Sequence, residues 1–365
     1  MIAKSQTQAG ELVGKRRPVI WLLSAYRADS HAAWADWLVQ TQSQFVWQRL
    51  ELPGRHFAWR IRGNPLSWLD LLPDEVPDLI VATSMVDLAT FKGLNPRVAM
   101  VPSLYYFHEN QFAYPDTGRQ VRTLEPKMVQ LYGALAASRL VFNSDFNRET
   151  FFDGISALLA DMPDAVPDGV TDRLSRKSAL CPVAIDPIAP SAGHDPDPPL
   201  VLWNHRWEHD KLPSLFADAM LALAAEGVPF TLALLGRRPP GVPKSLARLR
   251  DALAPRIVAD GMLPRGAYCD VLSRASIVVS TARHEFQGLS VLEAASAGAR
   301  PLVPDALCYP ELYATDYRYP AGDVEALVTR LRQWLTEGLP ASVDVSPWCS
   351  TQLVPRWTNL LKEML

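Results

Sequence analysis

Short apolar runs recur along the chain, and most are followed by a stretch whose apolar residues return every three or four positions. Residues 19–23 read as a buried strand and residues 31–40 as the helix after it. Residues 79–82, 99–102 with 104–107, and 139–142 read as further strands. Asn143 and Ser144 follow the last of these and can cap the next helix. The pattern breaks at residues 188–199, IAPSAGHDPDPP, where Pro and Gly are too dense for a regular element. It restarts with strands at 200–203, 230–235, 257–259 and 277–280, and helices at 212–226, 268–274 and 289–297. Strands alternating with helices predict parallel sheets covered on both faces.

The fold class is therefore α/β, with two Rossmann-like domains facing a central cleft. The first spans residues 18–187, residues 188–199 form the linker, and the second spans 200–345. Residues 346–365 read as a helix able to pack back on the first domain. Ligands in such sheets sit at the carboxyl ends of the strands.

Composition changes this picture little. A chain of 365 residues, 48% hydrophobic and 21% charged, has enough apolar surface for two cores. The formal charge of −3 argues against nucleic-acid binding by overall charge, while leaving room for a local basic patch. Cys181, Cys269, Cys308 and Cys349 are scattered without a CxxC pair, which disfavours zinc and disulfides and suits a reducing compartment. The polar first 17 residues lack a signal-peptide core and read as a loose tail. No apolar run reaches the roughly 18 residues that span a bilayer, so a cytoplasmic setting without membrane contact is expected.

Four motifs could carry chemistry. H-E-F-Q-G-L-S-V-L-E, residues 284–293, directly follows a strand. Gly288 permits a tight turn into an almost wholly apolar helix, where Glu293 needs donors such as sugar hydroxyls. Glu285 stands where free helix N-terminal amides favour anions. The alternative is a solvated Glu285 and a structural Glu293. W-N-H-R-W-E-H-D-K, residues 203–211, sets Arg206 and Lys211 at another strand end, a planar fork and a point charge suited to a diphosphate without metal. Alternatively, Glu208 and Asp210 simply neutralise them. In Y-Y-F-H-E-N-Q, residues 105–111, His108, Glu109 and Asn110 lie just past an apolar strand; a structural role for His108 is the competing reading.

Residues 46–68 interleave Trp47, Arg49, Arg55, His56, Phe57, Trp59, Arg60, Arg62 and Trp68, a mixture that suits RNA bases and phosphates. A half-buried strand with a solvated basic face would look the same. Asp195 and Asp197 mimic a metal-binding DxD but sit in the Pro-rich break. No Walker loop or GxGxxG is present.

RWEHDK, HEFQG and a glutamate eight residues after Glu285 together resemble the retaining GT-B glycosyltransferases of family 4. More narrowly, PGRHFAWRIRG, YFHENQFAYP, FNSDFN, NHRWEHDK and STARHEFQGLSVLEA are similar to the tRNA-queuosine mannosyltransferases, over about residues 19–319. The resemblance implies a hexosyltransferase that moves mannose from GDP-mannose to queuosine at the wobble position of tRNA(Asp), keeping the α-linkage and needing no cofactor or metal. It implies that Arg206 and Lys211 bind the diphosphate, Glu285 the sugar and Glu293 the ribose. Amides near Phe286, Gly288 and Leu289 would assist, and His108 would lie beside the reacting carbon. Ser30 and His31 match the family's donor loop, although residues 24–31, SAYRADSH, lack its frequent paired glycines. The acceptor side would comprise Arg55, His56, Trp59, Arg60, Arg62, Glu109 and Asn110. The alternatives are a GT-B enzyme with a small-molecule or glycan acceptor, and a non-catalytic tRNA- or nucleotide-binding protein.

Overall fold

The computed structural model describes residues 16–114, 124–191, 195–238 and 240–365. The expected N-terminal tail therefore lies outside the described residues except at its end. Pro115, the end of YFHENQFAYP, and residues 192–194 of the Pro-rich break lie outside them too. At the end of the tail, Arg16 is anchored rather than loose, pairing with Glu75 at 2.8 Å and Asp78 at 2.7 Å.

Two six-stranded parallel sheets form the frame. The first contains β1 (Val19–Arg27), β2 (Val46–Pro53), β3 (Leu79–Thr83), β4 (Ser103–Phe107), β5 (Arg139–Phe142) and β6 (Ser178–Leu180), in the order β2-β1-β3-β4-β5-β6. Its helices are α1 (Asp29–Thr41), α2 (Phe57–Ser67), α3 (Leu88–Leu94), α4 (Glu125–Ala136), α5 (Asp145–Ala160) and α6 (Val170–Ser175). Alternate residues of β1 feed opposite cores, as the two-residue strand period requires. Trp21 and Leu23 pack with α2 to α6, and Ile20 and Leu22 with α1.

The second sheet contains β7 (Leu200–Asn204), β8 (Thr231–Leu235), β9 (Ile257–Gly261), β10 (Ile277–Val279), β11 (Arg300–Pro304) and β12 (Arg318–Tyr319), in the order β12-β11-β10-β7-β8-β9. On one face, α7 (Pro213–Ala225), α8 (Lys244–Leu253) and α12 (Val324–Glu337) cover Val201 and Trp203. On the other, α9 (Arg265–Arg274), α10 (Leu289–Ser296) and α11 (Tyr309–Leu312) cover Leu200 and Leu202. Between Leu180 and Leu200 the described residues form no helix or named strand, only an isolated bridge from Ile185 to Cys349. No helix among them is long and apolar enough to cross a membrane.

Two local expectations need correction. Residues 99–102 form a turn after a short helical turn begun by Pro96, with Met100 93% exposed, so only β4 is a strand there. Residues 46–53 form an edge strand whose one cation, Arg49, is paired. Arg49 reaches Asp36 at 2.6 Å and Glu51 at 2.9 Å, so it is not a free RNA contact.

The last helix, α13 (Ser350–Lys362), packs on the first sheet rather than the second. Trp357 is fully buried there, 5.7 Å from the Trp34 ring and 5.1 Å from the Tyr106 ring. Its removal would leave a cavity that neither sheet can close. Trp357→Ala is expected to cost about 3–5 kcal/mol, read as a lower urea midpoint. A midpoint equal to wild type would show that α13 is dispensable to the first core.

Candidate active site

The charged motif after β7 folds into a loop and one helical turn, residues 205–212, at the carboxyl edge of the second sheet. Gly236 lets this loop approach the end of β8: at φ 101° it has no Cβ, and one would sit 2.1 Å from the His205 carbonyl oxygen. Lys211 is buried, and its Nζ donates to the His284 carbonyl at 2.6 Å and to Glu285 Oε2 at 3.2 Å. Asp210 is buried as well, 3.5 Å from Lys211 and 3.7 Å from Arg206, and hydrogen-bonds to neither. Arg206 stays half-exposed and holds Glu208 at 2.9 Å. Both carboxylates thus pair with the two cations.

Glu285 closes the cluster from the β10–α10 loop. Its Oε1 accepts from the amide of Phe286 at 3.1 Å and of Gln287 at 3.5 Å. Burial pushes this carboxyl up, but Lys211, His205 and the Gly288 amide outweigh it and hold the group at about 2. Burial works against the Lys211 ammonium, yet Glu285 and Asp210 raise its pKa overall. Burial pushes His205 and His284 down to about 4, and Lys211 adds to the effect. Both imidazoles are therefore neutral near pH 7.

Gly288 turns the chain into α10 at φ 71°, a conformation a side chain resists; an added Cβ would also stand 3.0 Å from the Tyr309 ring. Leu289 opens the helix. The Phe286 side chain is buried against Phe146 and His284, and its amide is engaged by Glu285. Glu293 lies about one turn on. Its donors are protein groups, Tyr268 Oη at 2.9 Å and Arg265 Nη1 at 2.8 Å, rather than the sugar hydroxyls inferred from burial alone.

From the first sheet, the loop after β4 contributes His108 and Glu109. His108 is buried. It stacks on His31 at 4.2 Å and meets Trp34 and Tyr106 edge-on at 4.7 Å, with its Nε2 unpartnered. Burial and then His31 press its pKa well down, and burial takes His31 to about 4 despite the hydrogen bond to the Tyr26 carbonyl. Ser30 is exposed in the first turn of α1. Glu109 faces the other domain: burial raises its pKa, opposed by the fields of Arg206 and Lys211.

Several proposed acceptor residues sit elsewhere. Asn110 is buried and fully engaged. Its amide donates to Asn147 and Thr150, and its Oδ1 accepts from Phe112 and Ala113. It shapes the loop and cannot reach a ligand. Arg62 is committed to the buried Asp87 at 2.5 Å, which caps α3. Arg60 lies along α2 with Nη1 3.4 Å from Ser67 Oγ. Arg55, His56 and Trp59 are exposed at the start of α2, and Trp59 covers Gly63. Asp195 pairs with Arg300 at 2.7 Å.

Sequence reasoning missed Asn204, His205, Arg265 and Tyr268. Asn204 ends the strand that leads to Arg206 and donates to Tyr268 Oη at 3.3 Å and the Ser290 carbonyl at 2.8 Å, and His205 follows it; that position was their signal. Arg265 and Tyr268 lie 28 and 25 residues from Glu293 and offered no local cue.

Residues 19–185 match the family model for the N-terminal region of tRNA-queuosine alpha-mannosyltransferase, and residues 198–337 match that for glycosyl transferases group 1. The chain is 30% identical over 315 residues to the tRNA-queuosine alpha-mannosyltransferase of Drosophila melanogaster, covering 83% of this chain and 84% of that one. Among solved structures, sucrose-phosphate synthase from Thermosynechococcus elongatus superposes with TM-score 0.69 at 13% identity, covering 95% of this chain and 99% of that chain. A lipopolysaccharide outer core galactosyltransferase superposes with TM-score 0.62 at 11% identity, again over 95% and 99%. The fold is GT-B.

Because the folded Glu285 titrates at about 2 against an ordinary 4.5, its ion pair contributes fully above about pH 4.5 and fades as pH falls toward 2. Glu285→Gln should therefore be less stable than wild type at pH 6, with the gap closing below pH ~4.5. Thermal unfolding across pH 6 to about 3 measures this. A gap that stays constant would mean the carboxylate is not charge-paired.

Proposed function

The chain belongs to the tRNA-queuosine alpha-mannosyltransferase family of hexosyltransferases, and we propose that it transfers mannose from GDP-mannose to queuosine at the wobble position of tRNA(Asp). The observation that carries this reading is the Arg206–Lys211–Glu285 cluster at the carboxyl edge of the second sheet, opposite His108 and Glu109 of the first. A nucleotide diphosphate entering there competes with Glu208 and Asp210 for Arg206 and Lys211. It brings two negative charges to groups that otherwise share theirs with local carboxylates.

Arg206 and Lys211 then stabilise the departing diphosphate, without a metal in this proposal. Glu285 accepts hydrogen bonds from mannose hydroxyls, and Glu293 the ribose, shared with Tyr268 and Arg265. Free amides of the first turn of α10, at Leu289, and of α1, at Ser30, add donors for the phosphates. His108, neutral and walled by Trp34 and Tyr106, offers its unpartnered Nε2 to the sugar. We assign no protein nucleophile. The acceptor hydroxyl attacks on the face the diphosphate leaves, and a phosphate oxygen takes its proton. Arg55, His56, Trp59 and Arg60 at α2 supply RNA contacts. Four free cysteines suit a cytoplasmic setting for this tRNA enzyme.

Purified protein with GDP-mannose and queuosine-containing tRNA should yield mannosyl-queuosine on nucleoside mass analysis. Arg206→Ala should lower the rate by about 10²–10³-fold and abolish the thermal shift produced by GDP-mannose. Retention of the full rate in this variant would place the diphosphate elsewhere. Turnover of UDP-galactose in place of GDP-mannose would overturn the donor assignment.

A further inference from the structure

Two side chains at the rim of the cleft take no part in the donor grip. Tyr114 ends the described part of the loop that also supplies His108 and Glu109, and it is 37% exposed. Its ring lies 4.4 Å from that of His284. His284 is buried, with Nε2 unpartnered, so it forms a wall with an unused polar atom. Immediately before it stands Arg283, exposed, its amide fixed by the Asp210 carbonyl at 2.8 Å. Arg206, Lys211, Arg237, Arg238 and Arg265, the other cations beside these strand ends, each meet a carboxylate. The Arg283 side chain meets none among the described residues. An aromatic face from one domain thus packs on the His284 imidazole, and the next residue back in the chain of the other domain, two before Glu285, is an exposed arginine with no carboxylate partner among the described residues.

We propose that Tyr114 and Arg283 seat the acceptor nucleotide, the base stacking on the Tyr114 ring and an adjoining phosphate resting on the Arg283 guanidinium. The inference rests on the RNA acceptor argued above and adds its contacts beside the reacting groups. A base reaches a cleft of this kind only by leaving its own stack, and an aromatic side chain replaces the stacking it loses. An exposed arginine free of carboxylates can exchange water and counterions for a phosphate without first breaking an ion pair. Tyr114 and Glu109 share one loop, and Arg283 and Glu285 another. A base held between them brings its substituent to the carboxylates and to the sugar on Glu285.

The competing account makes the Tyr114–His284 contact a latch between the domains, with Arg283 a solvated rim charge. Filter binding of queuosine-containing tRNA over about 50–200 mM salt, thermal shift with GDP-mannose, and transfer rates separate the two. Tyr114→Ala should weaken tRNA binding by about 5–100-fold and leave the GDP-mannose shift intact. Tyr114→Trp, which keeps a stacking face, should stay near wild type. Arg283→Ala should reduce the slope of log affinity against log salt by about 0.7–0.9, and Arg283→Lys should preserve it. Wild-type tRNA affinity in Tyr114→Ala, an equal loss of donor and tRNA binding there, or an unchanged slope in Arg283→Ala would each overturn the seat. If wild type transfers mannose to tRNA while both alanine variants bind it normally, the seat alone falls. If wild type neither binds nor modifies tRNA, the acceptor reading falls with it.

Discussion

The Lys211 ammonium is almost wholly removed from water, and a lone charge in that position would cost several kcal/mol. Glu285, Asp210 and the His284 carbonyl surround it and make it tolerable. These partners come from the loop after β7 and the loop after β10, which the Arg283 amide also joins by donating to the Asp210 carbonyl at 2.8 Å. The buried pair therefore does structural work before any ligand arrives, binding the two charged loops at the edge of the second sheet. Thr281 adds a hydrogen bond from its hydroxyl to the Lys211 carbonyl at 2.7 Å. Because the protein already meets their desolvation cost, an added anion would compete only with the local carboxylates Glu208, Asp210 and Glu285.

The H-E-F-Q-G motif ties this cluster to the other domain. Gln287 exchanges two hydrogen bonds with the Val183 backbone, at 2.9 and 2.7 Å, and is buried. Phe286 packs near Phe146 of α5. Glu311 reaches from α11 to accept the amides of Asp145 and Phe146, satisfying donors that begin α5. Arg237 pairs with Asp29 across the cleft. Residues adjacent in one short motif thus hold a carboxylate in the site, a domain contact and a helix start.

On the opposite wall, the His108 imidazole is held by rings, while its backbone carbonyl accepts from Asn143 Nδ2 at 2.9 Å. Trp34 and Tyr106 stand edge-on to it, His31 lies against its face, and Trp357 of α13 backs both large rings. The final helix of the chain therefore supports an imidazole some 250 residues earlier in sequence. Burial that keeps this histidine neutral also holds it in one orientation.

The sequence alone determined what depends on neighbours in the chain. Apolar runs alternating with helical periods gave the parallel α/β frame, because strands buried on both faces must be apolar throughout. Charged motifs directly after β7 and β10 were legible as strand-end loops for the same local reason. Tertiary structure decided who meets whom. Lys211 and Glu285 are 74 residues apart, and their contact follows from β7 and β10 lying side by side. Glu293 was read as needing sugar hydroxyls, yet Tyr268 and Arg265 reach it from α9. Arg62 and Asn110 looked available, but one is engaged by Asp87 and the other by Asn147 and Thr150. Local pattern reports where a polar side chain leaves the backbone. Only the order of the strands fixes which partner is within 3 Å of its end, and so whether it is free to bind anything else.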